Sequence, residues 1–314
     1  MRRSLLPIVP LFALFMSACV ALPADAPAGS SNDSSNGAES TDLSQAFPSM
    51  EASIEPERSR PPKEMFTHTN CKGKTYRHAN YSFSYSEADE QSEWVAYELT
   101  REEVEGNLDR KDEFAADPIV ETGSADPGDY QTSGYDRGHL APSADMRFDA
   151  TAMEDCFLTS NVSPQVKGFN NGVWNDLEMQ TRSWTRKYER IYVVTGPVLP
   201  RAGKAAKKMF TTKRGKDVRT NITVPDKFYK ILYDFSKKGK EKMIAFVIPN
   251  EATDTPFTEF VTTVDEVERL TGIDFFSNLS KDFQEKCESR SDLSKWPEAT
   301  YLNYSNTHSF NPES

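Results

Sequence analysis

Four stretches rich in β-branched and aromatic residues most constrain the fold of this chain. They span residues 94–99, 190–195, 227–234 and 243–248. Runs of this kind, bounded by turn-forming residues, are typical of strands. Between the first two lies a segment, 172–188, in which large residues recur at steps of three and four: Trp174, Leu177, Thr181 and Trp184. That spacing predicts a helix.

A second helix is predicted over residues 257–271. Because helices and strands are mixed within residues 65–290, we expect this stretch to form one α+β domain. The four cysteines among 314 residues are too few for a disulfide scaffold, and 27% charged residues are too many for a polytopic membrane protein.

The first 18 residues have the pattern of a signal peptide. Two arginines precede an apolar run over residues 5–16, which is too short to cross a bilayer as a mature helix. The small residues before Cys19 resemble the lipobox of bacterial lipoproteins, in which this cysteine is lipidated. Lipidation predicts an anchor in the outer or cell-surface membrane. Cleavage near Ala21 or Ala24 is the alternative and predicts a periplasmic or secreted protein.

Residues 19–64 are predicted to be a disordered tether behind the lipidated cysteine. Nine serines and scattered Pro, Gly and acidic residues leave few large apolar side chains to form a core. At the other end of the chain, residues 291–314 are predicted to be a tail outside the domain.

Three cysteines remain after Cys19 is lipidated or removed: Cys71, Cys156 and Cys287. In an exported protein they allow one disulfide and one free thiol, and the sequence leaves all three pairings open. A bond between Cys156 and Cys287 would join the C-terminal region to the core. Their spacing matches no zinc site.

The segment 136–139, which reads Asp-Arg-Gly-His, carries residue types suited to phosphate chemistry. His139 can accept a proton from water near neutral pH. Arg137 can hold a phosphate through two parallel hydrogen bonds, and Gly138 lets the backbone turn tightly between them. Taken alone the match is short, and a purely structural histidine is the alternative.

A second polar segment follows within the predicted helix. Asn170, Trp174 and Glu178 are four residues apart and therefore share one helix face. Glu178 and Arg182 have the same spacing and are expected to pair. The amide oxygen of Asn170 is a hard ligand suited to Mg²⁺. The alternative is that Asn170 only caps the helix and that the ion pair lies on the surface.

Together these segments resemble the DNA/RNA non-specific endonuclease family of the ββα-metal nuclease superfamily. The family's Asp-Arg-Gly-His motif matches residues 136–139, and a second family pattern matches Asn161, Pro164, Gln165, Asn170, Trp174, Leu177, Glu178 and Arg182. The resemblance extends over residues 70–285. It implies an α+β fold whose central antiparallel β-sheet is flanked by helices and carries a ββα-metal active-site finger.

The resemblance also implies catalytic roles. His139 is expected to be the general base that activates water. Asn170 is expected to be the one direct protein ligand of a single Mg²⁺, for which Mn²⁺ is a candidate substitute. Glu178 would order a metal-bound water, and Arg137 and Arg182 would bind phosphate and stabilise the transition state.

Four further residues receive supporting roles from the same resemblance. Asn161 and Gln165 would support the metal site or bind substrate, and Asp136 would be a structural hydrogen-bond partner. Arg110 is a further candidate for binding phosphate. Because Asn171 stands beside Asn170, a shift of one residue in the metal ligand remains open, although the eight-residue step back from Glu178 selects Asn170.

Basic residues are concentrated in one part of an otherwise acidic chain. The formal net charge of −11 argues against a protein that coats nucleic acid by bulk charge. Residues 201–242, however, hold 14 lysines and arginines against four acids. This segment predicts sequence-independent contacts to the phosphates of a polyanion, with ordinary solvated loops as the alternative.

The N-terminal pattern predicts an exported, membrane-anchored protein, and the family resemblance implies a Mg²⁺-dependent endonuclease that cuts both DNA and RNA and leaves 5′-phosphate ends. One alternative is a nucleic-acid-binding surface lipoprotein without catalytic activity; another is a phosphodiesterase for a different phosphate ester. The combination of His139, Asn170 and Glu178 argues against the first alternative, since binding alone requires no general base. The basic segment favours a polymer over a small substrate.

Overall fold

The computed structural model describes residues 67–200, 208–214 and 218–297. The predicted signal peptide over 1–18, the lipidation site Cys19, the tether over 19–64 and residues 298–314 of the predicted tail lie outside the described residues. Within the described ranges, no helix combines the length and the apolar character needed to cross a membrane.

The described residues form one large antiparallel sheet and two small two-stranded antiparallel sheets. The strands are β1 Lys74–Arg77, β2 Ser82–Ser86, β3 Gln91–Thr100, β4 Asp136–His139, β5 Val162–Gln165, β6 Arg190–Pro197, β7 Lys208–Arg214, β8 Val218–Val224, β9 Lys227–Asp234, β10 Lys242–Pro249 and β11 Val261–Thr262. The sheet has the order β1-β2-β3-β6-β9-β10-β11, while β4 pairs with β5 and β7 with β8. The expected central antiparallel sheet is therefore confirmed, and all four predicted strands lie within it.

Alternation along the strands places apolar side chains on both faces of the sheet. In β3, Val95, Tyr97 and Leu99 face one cluster of buried residues, which we call the first core. Trp94 and Ala96 of the same strand face another, the second core. Since successive side chains of a strand point to opposite faces, a sheet with two apolar faces must be covered on both sides.

Helices supply this cover. They are α1 Arg101–Val104, α2 Ala150–Asp155, α3 Lys167–Phe169, α4 Asn175–Tyr188, α5 Val264–Thr271 and α6 Lys281–Cys287. The long helix α4 buries Leu177 and Trp184 in the first core. On the other face, α5 buries Val264 and Val267 in the second core. The two helices therefore lie on opposite sides of the sheet.

Both predicted helices are shorter than the sequence pattern indicated. The helix expected over 172–188 begins at Asn175, because Gly172 has non-helical backbone angles (φ −107°, ψ −118°). The helix expected over 257–271 begins at Val264. Before it, a 3₁₀ turn over Phe257–Phe260 leads into strand β11, whose Val261 pairs with Phe246 of β10. Strand pairing overrides the helical periodicity at this point.

The predicted tail over residues 291–314 does not begin at residue 291. Trp296 is 1% exposed and meets Trp184 of α4 edge to face, with ring centroids 5.3 Å apart. The indole N–H of Trp184 donates to the carbonyl of Pro297 at 3.0 Å. Burial of Trp296 holds this segment packed on the domain, so the domain extends at least to Pro297.

The three described cysteines are all free. Cys156 lies in the first core, whereas Cys287 lies in the second core. The sheet stands between them, so the suggested bond between these two residues does not form. Cys71 accepts a hydrogen bond from the indole N–H of Trp94, with an N–S distance of 3.2 Å.

Candidate active site

Strands β4 and β5 form a two-stranded antiparallel sheet, and β5 leads directly into α3 and α4. The register pairs Asp136 with Gln165 and His139 with Val162. Two strands followed by a helix are the arrangement expected for the ββα finger. A Cβ at position 138 would lie 2.1 Å from Cδ of Gln165, so a residue larger than Gly138 would displace that side chain. The small glycine thus allows the two strands to pair with the glutamine side chain lying across β4.

Asn170 stands in the turn before α4 and is joined to the first strand of the finger. Its side-chain amide donates a hydrogen bond of 3.0 Å to Oδ2 of Asp136. Since this bond uses the NH₂ group, the amide oxygen is the atom that Asn170 can offer to a cation. The neighbouring Asn171 is exposed.

His139 lies at the end of β4 in an aromatic pocket. Its ring is 4.9 Å from that of Phe157, at right angles, and 5.3 Å from that of Phe114. Among the described residues, Nε2 is buried and has no hydrogen-bond partner. Burial, followed by the charges of Arg110 and Arg137, lowers the pKa of His139 to about 3. The imidazole is therefore neutral at physiological pH and able to accept a proton.

Two arginines lie close to His139, because each contacts one of the aromatic rings that surround the histidine. The guanidinium of Arg137 lies 4.3 Å from the ring centroid of Phe114, and that of Arg110 lies 5.2 Å from Phe157. Both arginines are exposed, so their remaining donors are accessible to an anion. Arg110 is also held by Asp112 at 2.7 Å. Stacking on a ring orients a guanidinium while leaving its edge available for phosphate.

Arg182 is held by an acid that the sequence analysis did not single out. Its guanidinium donates to Oδ1 of Asp145 at 2.9 Å, and the hydroxyl of Tyr97 donates to Oδ2 at 2.7 Å. The carboxylate of Asp145 is nearly inaccessible, and the Arg182 side chain is 14% exposed. Among the described residues, the hydrogen-bonded partner of Arg182 is Asp145, while the charge of Glu178 also acts on the guanidinium.

Glu178 lies beside a buried lysine. Lys230 is 1% exposed, and its ammonium lies 4.7 Å from the ring centroid of Trp174. Burial raises the pKa of Glu178 to about 7, against the opposing charges of Lys230 and Arg182. Burial likewise lowers the pKa of Lys230, while the charge of Glu178 opposes that shift. The two groups stabilise each other's charged forms within the domain.

The structure tests only part of the basic segment predicted over 201–242, because the side chains of residues 201–220 lie outside the described residues. Along β9 the side chain of Lys230 shares a face with Phe228 and Leu232, which belong to the first core. Lys242 is also withdrawn from solvent, with its ammonium 3.7 Å from the ring centroid of Tyr188. These two lysines therefore do not form part of a surface that binds phosphate. Strand alternation alone could have placed Lys230 on the buried face.

Two residues expected to contact substrate are completely buried. Asn161 accepts from the backbone N–H of Ala141 and donates to the carbonyls of Ala141 and Cys156, each at 2.8 Å. Its side chain therefore clamps two backbone segments and is not available to substrate. Gln165 is also 0% exposed and lies against Gly138. Neither residue forms part of an accessible binding surface.

The chemistry of the finger fits Mg²⁺ better than a cation that demands many protein ligands. The Asn170 amide oxygen and the partly buried Glu178 carboxylate are hard oxygen donors. Among the described residues, Nε2 of His139 is buried without a hydrogen-bond partner, so it is available to a bound group. Mg²⁺ commonly retains several waters and needs only one or two protein oxygens.

The fold and the finger define a member of the ββα-metal nucleases. More specifically, the chain belongs to the DNA/RNA non-specific endonuclease family, whose model matches residues 63–282. This confirms the family resemblance found in the sequence motifs.

Two human mitochondrial proteins are among its relatives. Nuclease EXOG is 37% identical over 213 residues, which cover 65% of this chain and 57% of EXOG. Endonuclease G is 37% identical over 191 residues, which cover 59% of this chain and 64% of endonuclease G. The chain thus spans less than two thirds of the length of either relative.

A solved structure shares the fold. The crystal structure of an EndoG/EndoGI complex, which concerns the mechanism of EndoG inhibition, aligns with a TM-score of 0.55 at 30% identity. The alignment covers 66% of this chain and 87% of that chain.

Proposed function

We propose that this protein is an exported endonuclease, anchored to a membrane through Cys19, that hydrolyses the phosphodiester bonds of DNA and RNA with Mg²⁺. The observation that supports the proposal is Nε2 of His139, which is buried without a hydrogen-bond partner among the described residues and lies beside rings that two exposed arginines contact. Membership of the non-specific endonuclease family supports the choice of a nucleic acid as substrate.

His139 supplies the base for this reaction. Its Nε2 takes a proton from water as the water oxygen forms a bond to phosphorus and the bond from phosphorus to the 3′-oxygen breaks. Burial is the main cause of the pKa of about 3, and the charges of Arg110 and Arg137 lower the pKa further. A bound phosphodiester would neutralise those charges and raise the basicity of the ring toward the working pH, where a general base is most effective.

The arginines hold the phosphate that is attacked. Arg137 and Arg110 present N–H donors on either side of the His139 pocket and can place a phosphate oxygen against each guanidinium. Arg182 is less accessible and is tied to Asp145, so we assign it to balancing the charge of Glu178 rather than to first contact with substrate. Contacts to phosphate alone carry no base sequence information.

Asn170 and Glu178 are the residues that would hold Mg²⁺, Asn170 directly and Glu178 through an ordered water. When bound, the cation would stabilise the charge that develops on the scissile phosphate and on the leaving oxygen. Asp136 fixes the Asn170 amide so that its oxygen remains the available donor. Protonation of the leaving 3′-oxygen then gives a 3′-hydroxyl and a 5′-phosphate.

Export and anchoring are supported by the N-terminal pattern. Arginines at the start, an apolar run over residues 5–16 and Cys19 form the order that signal recognition and lipidation require. Metabolic labelling of the full chain with a radioactive fatty acid tests this part of the proposal. Label in the wild type that is lost from the Cys19→Ala variant supports the anchor, and equal labelling of both contradicts it.

The enzymatic part is tested with supercoiled plasmid and single-stranded RNA incubated with the protein in EDTA, and again after addition of excess Mg²⁺. We expect both substrates to be cut only with Mg²⁺. The DNA fragments should be joined directly by a ligase, because ligation requires 5′-phosphate and 3′-hydroxyl ends. Fragments that need a kinase before ligation contradict the proposed chemistry, and binding without cutting supports the non-catalytic lipoprotein.

A further inference from the structure

Three carboxylates converge on the side of the sheet opposite the finger. Asp265 and Glu268 stand on α5, and Glu288 follows the last residue of α6. One carboxylate oxygen from each lies within 4.8 Å of the others. Helix α5 covers the second core, whereas α4 covers the first, so this cluster is separated from Asn170 by the sheet.

Backbone hydrogen bonds hold the three acids together without neutralising them. The backbone N–H groups of Val264 and Asp265 donate to the carbonyl of Glu288 at 3.0 and 3.3 Å, which fixes the start of α5 to the end of α6. The N–H of Phe275 donates to Oε1 of Glu268 at 2.8 Å. The acids are therefore brought together by the fold itself, despite their mutual repulsion.

Glu288 is the buried member of the cluster, and its carboxylate has an unpaired oxygen among the described residues. The residue is only 5% exposed, and its Oε1 is buried with no hydrogen-bond partner among the described residues. Burial, together with the charges of Glu268, Asp265 and Asp274, raises the pKa of Glu288 to about 8. In its ionised form, a carboxylate buried among other acids is costly unless a cation balances its charge.

The nearest basic side chain on the same helix does not supply this balance. Arg269 is engaged with Glu266, through two hydrogen bonds of 2.7 and 2.6 Å. The position of Asp265 in the first turn of α5 is explained by the helix dipole, which favours acids there. The dipole does not explain Glu268, one turn further on, or the buried Glu288.

We propose that Asp265, Glu268 and Glu288 form a binding site for Ca²⁺, separate from the Mg²⁺ site of the finger. Three carboxylates offer up to six hard oxygen donors, and Ca²⁺ accepts six to eight oxygens in irregular geometry, whereas Mg²⁺ requires a near-ideal octahedron. Glu288 lies beyond residue 282, where the match to the family ends. A bound Ca²⁺ would fasten α5 to the end of α6.

Calorimetric titration of CaCl₂ into the full, EDTA-treated protein tests the site. The Asn170→Ala variant serves as the starting protein, so that binding at the finger does not contribute. We expect one Ca²⁺ to bind per chain, together with a higher Tm. Adding Glu288→Gln should abolish binding, and adding Asp265→Asn, at the exposed rim, should weaken it about tenfold or more.

Glu266→Gln is the matched control, since it removes a charge from the same turn of α5 but belongs to the pair with Arg269. It should bind Ca²⁺ as tightly as its parent. Cooperative thermal unfolding in EDTA verifies that each variant folds. If Glu288→Gln does not fold, the Ca²⁺ affinities of Asp265→Asn and Glu266→Gln are compared instead. Absence of Ca²⁺ binding in the parent, or equal affinity in Asp265→Asn and Glu266→Gln, overturns the proposal.

Discussion

The side-chain amide of Asn170 donates a hydrogen bond to the carboxylate of Asp136 across 3.0 Å. This bond connects the first strand of the finger with the turn before α4, 34 residues further along the chain. It orients an amide that could otherwise flip, because either end of an asparagine side chain can form hydrogen bonds. The motif that contains His139 thus also positions the proposed metal ligand.

We predict that Asn170→Ala lowers turnover by orders of magnitude and raises the Mg²⁺ concentration needed for half-maximal rate. Asn171→Ala, the matched control at an exposed position, should behave like the wild type. Asp136→Ala should fall between them, with metal affinity reduced roughly 10- to 100-fold, as for other residues that orient a ligand. Mg²⁺ titrations of the cleavage rate measure all three. An inactive Asn171→Ala beside a normal Asn170→Ala would show that the ligand is displaced by one residue.

Lys230 is expected to sustain the ionised form of Glu178. Replacement by methionine keeps much of the side-chain volume and removes the charge, so the pKa of Glu178 should rise above its value of about 7. We predict that cleavage at pH 7 falls about tenfold and recovers as the pH is raised. Lys227→Met, on the same strand but exposed, is the control and should leave the pH profile of cleavage unchanged. Equal profiles for the two variants would contradict this role.

The ion pair between Arg182 and Asp145 should contribute to the free energy of unfolding as well as to the charge balance of the site. Arg182→Ala leaves a buried carboxylate without its main partner, and we expect the free energy of unfolding to fall by roughly 3 kcal/mol. Arg186→Ala removes an arginine of the same helix whose side chain is 36% exposed and pairs with the exposed Glu105, and it should cost less than about 1 kcal/mol. Urea unfolding compares the two. Similar losses would mean that the buried pair contributes no more than a surface pair.

The raised pKa of Glu288 should make the free energy of unfolding depend on pH in the absence of metal. Its pKa is about 8 in the folded protein, above the usual 4.5, so between these values the folded state binds a proton that the unfolded state has lost. Stability from this group is therefore present below about pH 4.5 and is lost as the pH rises through about 8.

Glutamine at position 288 resembles the protonated glutamate at every pH. We predict that in EDTA the stability of Glu288→Gln exceeds that of the wild type by an amount that grows from pH 5 to pH 8.5. Thermal unfolding across this range measures the difference, with Glu266→Gln as the exposed control. A difference that does not change with pH would mean that Glu288 ionises normally in the folded protein.

Elements governed by local pattern were predictable from the sequence. The strands over 227–234 and 243–248 are confirmed because runs of β-branched and aromatic residues suit a sheet buried on both faces. The helix boundaries were less predictable. The non-helical backbone of Gly172 shortens the first predicted helix. The pairing of Val261 with Phe246 makes part of the second predicted helix a strand of the sheet.

The partners within the site depend on tertiary contacts that no local spacing contains. Helical spacing indicated a pair between Glu178 and Arg182, but Arg182 also reaches Asp145, which is 37 residues distant in the chain. A buried, doubly hydrogen-bonded carboxylate is the stronger partner because water does not screen it. Asn161 likewise matched a functional pattern, yet the described hydrogen bonds of its side chain all go to backbone groups.

The most direct test of the central claim compares wild type with His139→Ala on supercoiled plasmid in excess Mg²⁺, with binding and cutting measured in parallel. We predict Mg²⁺-dependent nicking by the wild type and a rate at least about 10²-fold lower in the variant. DNA affinity should be unchanged, because the arginines remain. Undiminished cutting by His139→Ala, or binding without cutting by both proteins, would contradict the assignment of His139 as the base of a nuclease.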